Sequence, residues 1–275
     1  MKTPRLLIIA GSDSSGGAGI QADIKTASAF GVYAMTAITA ITAQNTKGVT
    51  AVQAMPPELV REQIIACLSD IGADAIKTGM LANAAIVKVV AETLREYAPH
   101  IPLVVDPVMV ATSGAALLEA DAEKAVIDEL FPLATIVTPN LPETERLTGM
   151  TLTDRKSIRA AADALRHMGA KAALIKGGHG TEATITDTLV WEHGEDSFGF
   201  PRLDTRHTHG TGCTLASAIG CGIAKGYPLG VAVAKAREYV QAAIASAPGF
   251  GEGHGPLNHM VNWQGRPVAG STLKP

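Results

Sequence analysis

His209-Gly210-Thr211-Gly212-Cys213, continuing directly into Thr214-Leu215-Ala216-Ser217-Ala218-Ile219, joins a tight turn to a helix. Leu215, Ile219 and Ile223 recur at helical spacing with small residues between them. Lys225 falls in the last turn, Gly226 suits the C-terminal cap, and Pro228 blocks continuation. Gly210 to Cys213 is therefore expected at the helix N-terminus, where backbone N–H groups lack intrahelical partners and the dipole is positive. Glycines let such amides converge on an anion, and a thiol placed there is expected to have a lowered pKa. An anion cradle beside an activated polar group suits a transferring phosphoryl group, which needs charge stabilisation more than covalent chemistry. Taken alone, the stretch is explained equally well by a tight turn with a buried structural cysteine.

Outward from that turn, other short apolar runs end in chemistry-bearing residues. Leu6 to Ala10 reads as a strand buried on both faces. It leads into the loop Gly11-Ser12-Asp13-Ser14-Ser15-Gly16-Gly17-Ala18-Gly19 and a helix to about Phe30 that carries Asp23. No Gly-Lys-Ser/Thr follows, so the loop is not a P-loop, and its register does not fit a dinucleotide fold. Tyr33 to Thr42 reads as a strand ending in Ala43-Gln44-Asn45, and Val49 to Met55 as an edge strand or hairpin arm. Ala75 to Thr78 precedes the loop Gly79-Met80-Leu81, and Pro102 to Val105 ends in Asp106-Pro107. Thr135 to Val137 leads to Asn140 and Glu143, and Ala172 to Lys176 leads to Gly177-Gly178-His179-Gly180. Simple structural roles exist for each: Asp before Pro starts a turn, Glu143 complements a helix dipole, and a helix-surface Asp23 is solvated. A lysine ending a buried strand beside glycines is unusual unless an anion meets it. Residues 187–202 read as an antiparallel hairpin, and Leu229 to Ala247 as a last long helix.

About five strand–helix alternations with a late hairpin predict one α/β domain over residues 1–275, a mostly parallel sheet with helices on both faces. Asp106, Glu143, Lys176 and Cys213 then fall at one edge of the sheet. With 47% hydrophobic residues in 275, a substantial core is available. A net charge of −3 without basic runs argues against nucleic-acid or membrane-surface partners. Three cysteines, Cys67, Cys213 and Cys221, without C-x-x-C spacing fit reduced thiols in the cytoplasm. The apolar run Leu6 to Ala10 is too short for a signal-peptide core or a membrane span. His207 and His209 with Cys213 invite a zinc reading, but no fourth ligand stands at a plausible spacing.

The chain resembles the vitamin kinases of the ribokinase superfamily, most closely the hydroxymethylpyrimidine/phosphomethylpyrimidine kinases of thiamine biosynthesis. The resemblance rests on residues 10–23, Lys77-Thr78-Gly79-Met80, Asp106-Pro107-Val108-Met109, Thr138 to Glu143 and His209 to Cys213. It implies a ribokinase-like fold, a homodimer, and ATP-dependent phosphorylation of 4-amino-5-hydroxymethyl-2-methylpyrimidine and then of its monophosphate. By resemblance, Gly11, Ala18, Asp23, Gln44, Met80 and Val108 bind the pyrimidine, with Gln44 reading the ring through its amide. Asp106 and Glu143 match acidic positions near Mg²⁺. Lys176 matches a lysine at the ATP phosphates, and Gly210, Thr211 and Gly212 the anion hole. Sugar kinases of the superfamily place an aspartate where this chain has Cys213, so Cys213 is expected to orient and deprotonate the hydroxymethyl group. A pyridoxine or pyridoxal kinase, and a binding protein that kept the fold without catalysis, are the competing expectations. Retention of both acids, the lysine and the cysteine counts against the second.

Overall fold

Leu6, Ile8 and Ala10 of the first strand pack on one face of a sheet, and Leu7 and Ile9 on the other. That two-sided burial follows from the continuous apolar run and forces helices onto both faces. The structure, a computed structural model, describes residues 2–109, 120–179 and 182–261. Gly180 of the expected glycine cluster lies outside them. Nine strands form one sheet: β1 (Arg5–Asp13), β2 (Tyr33–Asn45), β3 (Gly48–Ala54), β4 (Ala75–Thr78), β5 (Leu103–Val105), β6 (Ile136–Val137), β7 (Ala172–Ile175), β8 (Thr184–Trp191) and β9 (Gly194–Pro201). Their order is β3-β2-β1-β4-β5-β6-β7-β8-β9. Six central strands run parallel, while β3 pairs antiparallel with β2, and β8 and β9 form the late hairpin beside β7.

The helices are α1 (Gly19–Ala29), α2 (Pro57–Ala66), α3 (Ala84–Tyr97), α4 (Ala120–Ala125), α5 (Leu141–Thr148), α6 (Arg155–His167), α7 (Thr211–Ala224) and α8 (Leu229–Ala245). Ile64 of α2, Val90 of α3 and Leu165 of α6 join Leu7 and Ile9 in one core. Phe30, Leu215 and Ile219 of α7, and Tyr239 of α8 join Leu6 and Ile8 in the other. Asn83 caps α3, its side chain accepting from Ile86 N–H, as the sequence leads one to expect. Asp121 lies in the first turn of α4.

Two departures from the sequence reading bear on the site. The first strand runs three residues past Ala10, with a bulge between Ala10 and Ser12, so Gly11, Ser12 and Asp13 lie on the sheet edge rather than in a free loop. The chain after α8 also folds back. His254 N–H donates to Thr46 O at 2.8 Å, and His209 N–H to Gly255 O at 3.1 Å. A Cβ at Gly253 would fall 2.0 Å from Thr46 O, so only glycine lets the two backbones meet there.

Candidate active site

Strand ends on a parallel sheet converge at its C-terminal edge, and a cavity of about 700 Å³ opens there beside the start of α7. Gly210, which precedes that helix, has φ +85°, and a Cβ on it would lie 1.8 Å from Gly17 O. Glycine is therefore required twice over. The Thr211 hydroxyl donates to Thr208 O at 2.7 Å, which fixes the turn. Gly212 and Cys213 occupy the first turn, where N–H groups have no partner four residues back in the helix. A Cβ on Gly212 would meet Lys176 Nζ at 3.3 Å and Asp106 Oδ2 at 3.7 Å. The helix start, the lysine and the aspartate thus share one point.

Asp106 follows β5 and is buried. Its Oδ1 accepts from Thr138 Oγ1 and from Lys176 Nζ, each at 3.0 Å. Its Oδ2 is buried and has no hydrogen-bond partner among the described residues. Glu143 closes a capping box at α5: it accepts from Asn140 N–H at 2.8 Å while the Asn140 side chain accepts from Glu143 N–H. Its Oε2 lies 3.9 Å from Lys176 Nζ. Burial pushes Glu143 up to about 7, against the opposing pull of Lys176. Burial would lower the Lys176 pKa, but Asp106 and Glu143 outweigh it and raise the value, so the ammonium stays charged. No group of three or more His, Cys, Asp or Glu side chains able to hold a metal occurs among the described residues. Two carboxylates with one orphaned oxygen do suit Mg²⁺, which commonly takes one or two protein carboxylates and fills its shell with water and substrate phosphate.

Gly11, Ala18, Gln44, Met80 and Val108 also line the cavity. A Cβ at Gly11 would press on Met80 Sδ at 3.1 Å. Asp13 and His209, given no role by sequence reasoning, organise this part of the wall. Asp13 accepts from Ser15 Oγ and N–H and from Ala18 N–H, all at 2.8 Å, and from Gly17 N–H at 3.2 Å. His209 Nε2 lies 2.8 Å from Asp13 Oδ2 and 3.4 Å from Gln44 Nε2. Burial works against the Asp13 charge, but the His209, Ser15 and Ala18 hydrogen bonds prevail and hold it down at about 2. The sequence signal was present: an Asp two residues before Ser-Gly-Gly is placed to bond the backbone of its own loop.

Beyond Lys176 the cavity reaches Arg237 of α8 and Asp187 of β8. Asp187 accepts from Gly177 N–H at 2.9 Å, and its other oxygen lies 3.0 Å from Arg237 Nε without hydrogen-bond alignment. The Arg237 guanidinium stacks 4.8 Å from the centroid of Phe200. Neither residue was singled out from the sequence, since a lone Asp in a strand and a lone Arg in a helix carry no local signature.

Two expectations are corrected. Asp23 does not face the pyrimidine. It is fully buried, accepts from Lys77 Nζ at 2.9 Å and from Ser217 Oγ at 2.7 Å, and lies outside the cavity wall. Helical geometry explains this: four residues beyond Gly19, Asp23 lies a full turn down α1, beneath α7. The Cys213 thiol is not lowered either. Burial pushes it up to about 11, although Lys77 and the Gly19 backbone N–H pull the other way. Desolvation outweighs the helix N-terminus.

The profile of the phosphomethylpyrimidine kinase family matches residues 13–258. A hydroxymethylpyrimidine/phosphomethylpyrimidine kinase of Streptomyces coelicolor is 49% identical over 93% of this chain and 94% of its own length. The thiamine biosynthesis bifunctional protein ThiED of Geobacter sulfurreducens is 48% identical over 93% of this chain, which spans 52% of that longer protein. Among solved structures, a phosphomethylpyrimidine kinase from Clostridium difficile superposes with a TM-score of 0.78 at 42% identity, covering 88% of this chain and 100% of that one. An ADP complex of Bacillus subtilis pyridoxal kinase reaches 0.86 at 35% identity, covering 94% and 98%. A family match over most of the chain, with near-half identity along almost the whole of a relative, on one shared fold, means that the chain belongs to the phosphomethylpyrimidine kinase family.

Proposed function

We propose that the protein transfers the γ-phosphoryl group of ATP to the hydroxymethyl oxygen of 4-amino-5-hydroxymethyl-2-methylpyrimidine, and then phosphorylates the monophosphate, in thiamine biosynthesis. One observation supports this most. The first turn of α7, Lys176 and Asp106 meet in the wall of a cavity that Gln44 also lines. The charged groups answer a phosphoryl group, and the Gln44 side-chain amide can donate to a ring nitrogen and accept from an exocyclic amine. Lys176 and the Gly212 and Cys213 amides take the charge that spreads over the transferring group. Asp106 and Glu143 would hold Mg²⁺, which when bound neutralises phosphate charge. Cys213, as thiolate or through hydrogen bonding, orients the hydroxymethyl oxygen and takes its proton.

ADP release with Mg²⁺-ATP tests the reading. Turnover of both pyrimidines with pyridoxal much slower is the expected outcome; turnover of pyridoxal alone overturns the substrate. Cys213→Ala should lower kcat about a hundredfold, and near-full turnover would remove Cys213 from the mechanism. Pyridoxal as substrate is the second reading, favoured by the TM-score of 0.86 to a pyridoxal kinase against 0.78 to a phosphomethylpyrimidine kinase. The higher identity to the pyrimidine kinases outweighs it.

The protein is expected to work as a homodimer in the cytoplasm. Ile41 of β2 and Val52 of β3 are exposed apolar residues at the β2–β3 edge, and all three cysteines are free thiols. Among the described residues no helix is long and apolar enough to cross a membrane. Light scattering checks the oligomeric state.

A further inference from the structure

Lys77 and Asp23 are both fully buried, and the proposed transfer step touches neither. Taking two charges out of water costs several kcal/mol each, which pairing alone often fails to recover. Their placement is specific. Ser217 Oγ donates to Asp23 Oδ1 at 2.7 Å. Asp23 lies four residues after Gly19 on α1, and Ser217 four after Cys213 on α7, so each pair shares one helix face. The two helices therefore meet at Asp23–Ser217, one turn beyond Gly19 and Cys213. Lys77 enters from β4 and closes on this contact at 2.9 Å. Gly79 leaves room for it, since a Cβ there would lie 3.0 Å from Lys77 Nζ, and Gly220 of α7 rests on Lys77 Cβ. The charged groups acting on the sulfur are Lys77 from β4, Asp23 from α1, Asp106 after β5 and Lys176 after β7, and of these the two lysines favour negative charge there.

We infer that Lys77 is a positioning residue for phosphoryl transfer: held by Asp23, its ammonium stabilises negative charge on the Cys213 sulfur. In the step it serves, the hydroxymethyl O–H bond breaks and its proton passes to the Cys213 thiolate, forming S–H. The freed oxygen pair bonds to the γ-phosphorus, and the bond to the bridging oxygen breaks with its electrons leaving on ADP. The inference rests on the role given to Cys213 above.

The test uses the whole protein and two substitutions. Asp23→Leu with Lys77→Met replaces the ion pair by apolar side chains of similar size, a change that commonly leaves stability intact. It should lower kcat about tenfold or more while KM stays within about threefold, and slow iodoacetamide alkylation of Cys213, read by peptide mass spectrometry, about tenfold near pH 8. A folded double variant with wild-type kcat and alkylation rate shows that the pair is structural only and overturns the inference. Should the double variant fail to fold, Asp23→Asn keeps the shape and removes the opposing charge. It should speed Cys213 alkylation several-fold, and an unchanged rate overturns the inference as well. Alkylation reports the field at the sulfur whether or not Cys213 is the base, so failure of the inference is distinguishable from full turnover in Cys213→Ala.

Discussion

Two aspartate–lysine pairs lie on either side of the start of α7, and they are built to opposite ends. Asp106 and Lys176 are 3.0 Å apart at the cavity wall, with Asp106 Oδ2 unpartnered among the described residues. Asp23 and Lys77 are 2.9 Å apart and sealed, with the second Asp23 oxygen occupied by Ser217. Residue types and separations are nearly the same. What differs is whether the last lone pair is filled. An open pair stores an unmet demand for a cation or donor, which substrate and metal can answer. A closed pair has spent that capacity on the fold, and acts on the site only through its field.

The largest effect expected from breaking this contrast is at Asp106. Asp106→Asn should lower kcat about a thousandfold, roughly 4 kcal/mol of transition-state stabilisation, with little change in Tm. Steady-state kinetics beside a thermal melt decide it, and a large loss of Tm would mean the open pair is structural too. Asp23→Ala should do the reverse in kind: it strands the buried Lys77 and should remove about 4 kcal/mol of stability by urea unfolding. A third buried group tests whether closed positions carry stability. Burial lowers His259 to about 4, with Thr214 Oγ1 2.9 Å from its Nε2. The unfolded chain takes up that proton near the ordinary value while the folded chain resists until about 4. Stability is therefore full above about pH 6.5 and should fall by up to about 3 kcal/mol as pH drops to about 4. Comparing wild type with His259→Gln over that window shows whether the fall is lost. The smallest effect concerns ring recognition. Gln44→Leu should cost about tenfold in kcat/KM for the pyrimidine while pyridoxal turnover changes less, and equal losses for both would remove Gln44 from ring selection.

The open pair was legible in the sequence and the closed one was not. Asp106 and Lys176 each stand where an apolar run stops, Glu143 opens the helix after another, and strand ends on a parallel sheet share one edge. Position along the chain thus sufficed to group them. Asp23 and Lys77 sit inside a helix and a strand, and β4 is buried on both faces, so alternation says nothing about which neighbour Lys77 meets. The resemblance carried Asp23 to the substrate, but a turn of helix separates it from the cavity. The Gly210–Cys213 turn was readable because glycine at positive φ is a local requirement, whereas the thiol's raised pKa comes from burial by α1 and β4, set by the tertiary fold. Asp13 and His209 pair across 196 residues, a distance over which no spacing rule operates.

The returning segment around Gly253 bears on the order in which the molecule assembles. Its contact with Thr46 spans 207 residues, and through Gly255 it also holds His209. Closing loops of that length is entropically unfavourable until the intervening sheet has collapsed and brought their ends together. The parallel strands and their helices should therefore consolidate first, and this strap should dock onto a nearly finished core. Ring recognition, which the proposed function gives to Gln44 two positions before Thr46, should be the last property the folding chain acquires and the first it loses under mild denaturant.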